Sequence, residues 1–216
     1  MHHEITKLLS IASDPIGDLA EGANALDKWG TLGKELAEML TLKNGFYAYE
    51  SALLVRPLCN DRAPLGILEW NSPKLWTAEY TENLGNALFF AEDVFGGQYC
   101  IRDDTLCTLD PETGQFEVMS TSIRAWAKEM MADYPLRTGY PVAHDWQMTN
   151  GVLSAGERLV PKIPFVCGGK YEIGNLHPLV DAKGMLFRAS IANQIRDLPD
   201  GAEIIIKSPV DRPGGT

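Results

Sequence analysis

Two adjacent carboxylates, Glu92 and Asp93, stand in the apolar stretch FFAEDVFGGQYCI. Such a pair could serve as acid and base in glycoside hydrolysis, or could bind a metal ion together. If the stretch is extended, however, adjacent side chains point to opposite faces of a sheet and cannot converge on one substrate atom. We therefore expect a structural role or a place on a partner-binding surface for this pair, and no catalysis.

The glycine pair Gly96-Gly97 follows these acids. A phosphate-binding loop would need a different glycine spacing, a following helix and a lysine, whereas the next residues, QYCI, are typical of a strand. A glycine pair between two strands indicates a bulge or a tight turn, in which either residue can adopt a positive φ. Gly168-Gly169 has the same interpretation. We expect the protein to bind neither a nucleotide nor a cofactor.

The histidines and cysteines form no recognisable site. His144 and His177 lie outside any metal-binding pattern such as H-E-x-x-H. His144-Asp145 could form a dyad with Cys167 or a serine, but no G-x-S-x-G elbow supports it. The four cysteines are widely spaced and lack a C-x-x-C pair, so we expect reduced, mostly buried thiols and neither a zinc site nor a disulfide framework.

Hydrophobic periodicity and turn residues predict the elements that position these side chains. Helical spacing is present at residues 5–12, from Thr31 to Asn44-Gly45, from Ile123 to Met131 behind a Ser or Thr cap, and in KGMLFRASIANQIRDL. Strand patterns occur in GFYAYESALLVRP, GILEW, NALFFAEDVF and GGQYCIRDDTLCTLDPETGQFEVM. Residues 135–180, rich in Gly and Pro, predict short strands and loops, and AEIIIK predicts a final strand.

The clearest turn signal lies at Asp103-Asp104. A two-residue turn there would place Ile101 opposite Leu106 and Cys100 opposite Cys107. DPETG would then return the chain through QFEVM, which predicts a three-stranded antiparallel meander.

Composition places the chain among folded proteins. It has 216 residues, of which 45% are hydrophobic, and its formal net charge is −10. An acidic chain without basic clusters repels phosphate groups, so we expect no binding to nucleic acid or to an anionic membrane surface. The first residues lack the pattern of a signal peptide, and no apolar run is long enough to span a bilayer, so we expect a cytoplasmic location.

Four segments in succession resemble the SUKH superfamily: KNGFYAYESALLVRP, LFFAEDVFGGQYCI, DPETGQFEVM and SIRAWAKEM. The family includes bacterial immunity proteins and relatives of a fungal cell-wall glucan-synthesis regulator. The resemblance implies an α+β fold with one mixed, mainly antiparallel sheet, flanking helices and no catalytic residues. It divides a single domain, 1–207, into a SUKH-like core at 31–133 and a C-terminal extension at 134–207 packed on it. Residues 208–216 would form a disordered tail.

The function that the resemblance implies is protein binding. We expect an immunity protein that neutralises a cognate bacterial toxin with a basic domain, through acidic residues at Glu92, Asp93, Asp103 and Asp104. One alternative is a regulatory scaffold in cell-wall or envelope metabolism. Another is a small hydrolase that uses Glu92 or Asp93 with His144.

Overall fold

The computed structural model describes residues 3–18, 20, 22–80, 84–199 and 201–206. Within them the chain is an α+β protein, as predicted. The strands are β1 (Phe46–Ala48), β2 (Leu53–Val55), β3 (Leu88–Asp93), β4 (Gln98–Arg102), β5 (Thr105–Leu109), β6 (Phe116–Ser120), β7 (Glu157–Pro161) and β8 (Leu176–Val180). The helices are α1 (His3–Ser10), α2 (Gly30–Leu42), α3 (Ile67–Trp70), α4 (Ile123–Ala132), α5 (Tyr134–Thr138), α6 (Tyr140–Asn150) and α7 (Asp181–Ile195).

The large sheet contains β1 to β6 in sequence order, and each described pair is antiparallel. Side chains alternate between two apolar cores. Phe90 and Leu106 belong to the core formed with α1, α2 and α4, whereas their neighbours Phe89 and Cys107 belong to the core formed with α7. Both faces of the sheet are therefore covered, which explains why its strands are almost continuously hydrophobic.

The predicted meander is confirmed in detail. Asp103 and Asp104 adopt φ values of +48° and +57°, as a two-residue hairpin turn requires, and Cys100 pairs with Cys107. Helix α4 is confirmed as well, and its cap is Ser122, whose hydroxyl accepts a hydrogen bond of 3.1 Å from Ala125 N. Helix α2 begins one residue before the predicted Thr31, without a side-chain cap.

Several predictions for the rest of the chain are wrong. Residues 134–150 form α5 and α6, with Pro135 and Pro141 in the first turn of each helix, a position that tolerates proline. GILEW contains the short helix α3 instead of a strand, and residues 202–206 form no strand. Cys100 and Cys107 are buried, but Cys59 and Cys167 are exposed. The predicted tail, 208–216, lies outside the described residues.

The segment that contains β7 and β8 contacts the large sheet at the end of β3. Strands β7 and β8 form an antiparallel pair, and Leu159 N donates a hydrogen bond of 2.8 Å to Val94 O just beyond β3. Trp146, Leu159 and Val94 share a third apolar core. None of the helices in the described part of the chain combines the length and the hydropathy that crossing a bilayer requires.

Candidate functional site

Glu92 lies in a network of charges inside the protein. Its side chain is fully buried, with Oε1 at 2.9 Å from Arg56 Nη2 and at 2.8 Å from Arg158 Nε. Its Oε2 accepts a hydrogen bond of 2.9 Å from Gln98 Nε2, and Arg56 Nη2 also contacts Asp181 Oδ2 at 2.8 Å. The expectation that Glu92 contacts a partner at the surface is therefore wrong, because its carboxylate is inaccessible.

This network keeps Glu92 ionised and joins distant segments. Burial acts to raise the pKa of Glu92, but the Arg56 and Arg158 guanidinium groups and the Gln98 hydrogen bond hold that pKa below its ordinary value. The pKa of Asp181 is raised, because burial outweighs the attraction of Arg56. Since Arg158 belongs to β7 and Asp181 to α7, the network fastens the C-terminal part of the chain to β3.

Asp93 has a different environment, although it is the next residue. Its Oδ1 accepts hydrogen bonds from Phe95 N at 2.7 Å and from Gly97 N at 2.9 Å. The side chain is partly buried and faces an open cleft, and its Oδ2 has no hydrogen-bond partner among the described residues. Burial raises the pKa of Asp93 to about 7, against the lowering effects of the Gly97 hydrogen bond and of Arg188.

The glycine pair after β3 leaves room for Asp93 and Arg188. A Cβ atom at Gly97 would lie 2.5 Å from Asp93 Oδ2, and one at Gly96 would lie 2.5 Å from Arg188 Nη1. Gly96 also adopts a φ of +81°, and its N donates to Asp93 O at 3.1 Å, so the predicted tight turn is confirmed. Side chains at these two positions would close the space through which both charged groups reach the cleft.

The cleft has a volume of about 670 Å³, which lies within the range of ligand sites, about 300–1,000 Å³. It lies between the β3–β4 turn, the β5–β6 turn, the junction of α5 and α6, and the segment after β7. Asp93, Asp110, Glu112 and Arg188 face it. Its lining also includes Leu136, which is 76% exposed, so the cleft has an apolar rim around charged groups.

Two of the charged side chains are almost completely buried, yet lack partners for some of their atoms. Glu112 is 3% exposed; its Oε2 accepts a hydrogen bond of 2.8 Å from Val166 N, and its Oε1 has no partner in the described structure. Arg188 is 1% exposed; its Nη2 donates to Leu159 O at 3.3 Å, and its Nε has none. Buried polar groups are nearly always paired. Arg56 Nε and Arg158 Nη2 in the Glu92 network lack a partner as well, so the feature specific to the cleft is Glu112 Oε1, the one oxygen atom among the unpaired buried side-chain atoms of the described residues.

Three aromatic rings form one wall of the cleft. Phe165 and Tyr171 are stacked, with ring centroids 3.8 Å apart and an interplanar angle of 10°. Phe95 packs edge-on against both, at centroid distances of 5.5 Å and 5.2 Å. Tyr171 lines the cleft and is 58% exposed.

The other predicted site residues lie elsewhere. Asp103 and Asp104 are exposed at the far end of β4, which is about 15–20 Å from the cleft at the rise per residue of a strand. His144 Nδ1 lies 2.7 Å from Glu50 Oε2 on the surface of α6, apart from the Glu92 network. The structure therefore does not assemble the predicted pairing of His144 with Glu92 or Asp93, since neither carboxylate is among the described hydrogen-bond or ion-pair partners of His144. Among the described residues, no cluster of three His, Cys, Asp or Glu side chains could hold a metal ion.

The sequence reasoning missed Glu112 and Arg188. The sequence predicts only a turn at Glu112 and only a helix at Arg188. One signal was present: a turn that begins with Asp110-Pro111 leaves the next side chain, Glu112, free to point away from its own hairpin. Which surface it meets depends on residues 165–171, which are distant in sequence.

Comparisons with known proteins add the fold alone. No protein-family model matches the chain, and no curated protein sequence matches it. The structure is similar to one described as the crystal structure of Atu4351 from Agrobacterium tumefaciens, with a TM-score of 0.57, 12% sequence identity and 88% of each chain covered. At that identity the likeness shows a shared α+β architecture.

Proposed function

We propose that this protein is a non-enzymatic protein-binding module whose partner site is the cleft, and that it neutralises a cognate bacterial toxin in the cytoplasm by binding it directly. The observation that carries the proposal is the cleft itself. Its buried Glu112 and Arg188 retain unpaired atoms, and its rim exposes the apolar side chains of Leu136 (76%), Val166 (44%) and Tyr171 (58%). Exposed apolar patches beside a cavity are typical of interaction sites.

The charge of the chain supports a basic partner. The formal net charge is −10, and three carboxylates face the cleft against one guanidinium group. Complementary fields raise the rate of association and oppose wrong partners. A toxin nuclease carries positive charge on the surface that binds the phosphate backbone. The acidic cleft would compete with the nucleic acid for that surface. The resemblance to the SUKH superfamily implies the same function.

A second candidate, acid–base catalysis, is favoured by one observation. Burial raises the pKa of both Asp93 and Glu112, and carboxyl groups of that kind occur in active sites as well as in binding sites. The sequence suggested a hydrolase that uses Glu92 or Asp93 with His144, whereas the cleft would pair Asp93 with Glu112. The two functions differ in their requirement: catalysis would fail in Asp93→Asn, whereas binding of a partner would only weaken.

The direct test is protection of cells. The full chain is co-expressed with the toxin domain encoded beside its gene, and growth is compared for wild type, Glu112→Gln with Tyr171→Ala, and the control Asp103→Asn with Asp104→Asn. We expect protection by wild type and by the control, and loss of protection by the cleft variant. Lack of protection by wild type against every toxin encoded nearby would refute the proposal.

A further inference from the structure

We infer that the cleft receives an arginine side chain of the partner, whose guanidinium group lies among Asp93, Asp110 and Glu112 and stacks on the Phe165–Tyr171 ring pair. The inference rests on the proposed function, since it names the feature of the partner that this site would recognise.

The charge of the cleft favours a cation. Three carboxylates and one guanidinium group face it, so the sum is −2 when all are ionised. The hydroxyl of Tyr171 senses the same field: burial raises its pKa, Asp93, Asp110 and Glu112 raise it further, and Arg188 alone opposes them. A second positive group can therefore enter despite Arg188.

The unpaired acceptor points independently to a donor. Glu112 lines the cleft, and its Oε1 is buried without a partner among the described residues, while Oε2 is held by Val166 N at 2.8 Å, so the carboxylate has a fixed orientation. Asp93 is oriented similarly by two backbone N–H groups that bind Oδ1 and leave Oδ2 open. Carboxylates held in fixed orientations favour the planar, directional N–H donors of a guanidinium group over a single ammonium group.

The shape of the cleft favours arginine over lysine. A guanidinium group is planar and stacks on aromatic rings, and the Phe165–Tyr171 pair offers a flat face whose outer ring is 58% exposed. A volume of about 670 Å³ also leaves space for the residues that flank the arginine. Arg188, which only donates hydrogen bonds, suits the carbonyl oxygens of that flanking chain.

The inference is tested on the full chain with blocked tripeptides, acetyl-Gly-X-Gly-amide, where X is Arg, Lys or Gln. Binding is followed by NMR at the backbone amides of Gly97 and Val166, which adjoin the two carboxylates. We expect saturable shifts with the Arg peptide, weaker binding of the Lys peptide and none of the Gln peptide. No shift with the Arg peptide, or equal binding of Arg and Lys, would overturn the inference.

Two variants locate the effect. Glu112→Gln and Asp93→Asn should each lower the affinity for the Arg peptide by about tenfold. The control, Asp103→Asn with Asp104→Asn, removes two charges at the far end of β4 and should change that affinity by less than about twofold at moderate salt. An equal loss of affinity in the control would show that only the overall charge of the protein matters, and would overturn the inference. Asparagine tolerates the positive φ of that turn, so the control keeps its fold.

The pH dependence gives a second readout. Affinity for the Arg peptide should rise between pH 5 and pH 8, because Asp93, with its pKa raised to about 7, must ionise to bind a cation. Of the charged or titratable groups near Asp93, Arg188 lowers its pKa and Glu92 raises it. Asp93 in turn raises the pKa of Tyr99 and of Tyr171. In Asp93→Asn the rise should flatten; an unchanged rise would contradict a role for Asp93. The peptide experiments use no toxin. If the peptides do not bind, the inference about arginine fails, whereas the proposed function is tested separately by the protection of cells.

Discussion

Glu92 and Asp93 are neighbours in sequence, yet they belong to two differently built groups of charges. In the buried network, two carboxylates (Glu92 and Asp181) meet two guanidinium groups (Arg56 and Arg158) at 2.8–2.9 Å. In the cleft, three carboxylates share one guanidinium group, and no ion pair within 4.0 Å joins them among the described residues. The first arrangement is balanced, whereas the second has an excess of negative charge.

The comparison separates charges that hold the fold from charges that can bind. A buried pair is costly to break, because the remaining charge loses both its partner and its solvent. The unbalanced group lines an open cleft, where a cation from outside would reduce the repulsion between like charges. Because side chains alternate along the strand, Glu92 lies inside the buried network, whereas Asp93 is the acid that we propose to contact a partner.

The largest effect is expected in the buried network. Glu92→Gln keeps the shape of the side chain but leaves two buried guanidinium groups with Asp181 alone, so the free energy of unfolding should fall by about 3–5 kcal/mol. Denaturant unfolding measures it, with Asp103→Asn as the exposed control. A loss below about 1 kcal/mol, the value of a surface pair, would contradict the account of the network.

The next effect concerns the pH dependence of stability. The pKa of Asp93 is about 7 in the folded protein against an ordinary value of 3.8, so the folded state binds the proton more tightly. Its contribution is therefore complete below pH 4 and is lost as the pH rises to about 7. Between pH 4 and pH 8, the stability of wild type should fall relative to Asp93→Asn by on the order of 2–3 kcal/mol. Parallel curves for the two proteins would contradict the raised pKa.

A smaller effect is expected at the turn between the two groups. Gly96→Ala would place Cβ 2.5 Å from Arg188 Nη1 at a φ of +81°, and should lower the free energy of unfolding by about 1–3 kcal/mol. Gly168→Ala is the matched control, because it has a similar φ of +86° but no atom within 4 Å of the added Cβ. The difference between the two variants isolates the contact with Arg188. Equal losses of unfolding free energy in the two variants would mean that backbone strain alone accounts for the need for glycine at position 96.

The smallest effect lies on the exposed surface of α6. The Glu50 carboxylate at 2.7 Å raises the pKa of His144, and His144 lowers the pKa of Glu50. The stabilisation is thus present below the ordinary pKa of histidine and is lost as the pH rises through the raised value. NMR titration of the imidazole should show a lower pKa in Glu50→Gln. A pKa of His144 that does not respond to this substitution would contradict the pairing.

Local signals predicted the parts of the fold that are local in origin. The turn at Asp103-Asp104 determines the register of β4 and β5, and the spacing from Ile123 to Met130 determines α4, so both could be predicted. Pro135 and Pro141 misled the prediction, because proline in the first turn of a helix resembles proline in a loop. GILEW is too short for its period to distinguish a strand from a helix.

The site depended on contacts that span the chain. Glu92 meets Arg158, 66 residues away, and Glu112 meets Val166, 54 residues away. Alternation predicted that Glu92 and Asp93 would diverge, but it could not tell which of them would find two arginines. The sequence therefore narrowed the carboxylate that faces the cleft to Glu92 or Asp93. It gave no means of predicting that Glu112 and Arg188 would join it there.

One measurement tests the contrast between the two neighbouring acids most directly: an NMR titration of the side-chain carboxyl carbons of Glu92 and Asp93 in the full chain, with and without the Arg peptide. We predict that Asp93 titrates near pH 7 and Glu92 below its ordinary range, and that the peptide lowers the pKa of Asp93 but leaves that of Glu92 unchanged. An ordinary pKa at Asp93, or a pKa there that the peptide does not move, would contradict an open cleft that awaits a cation.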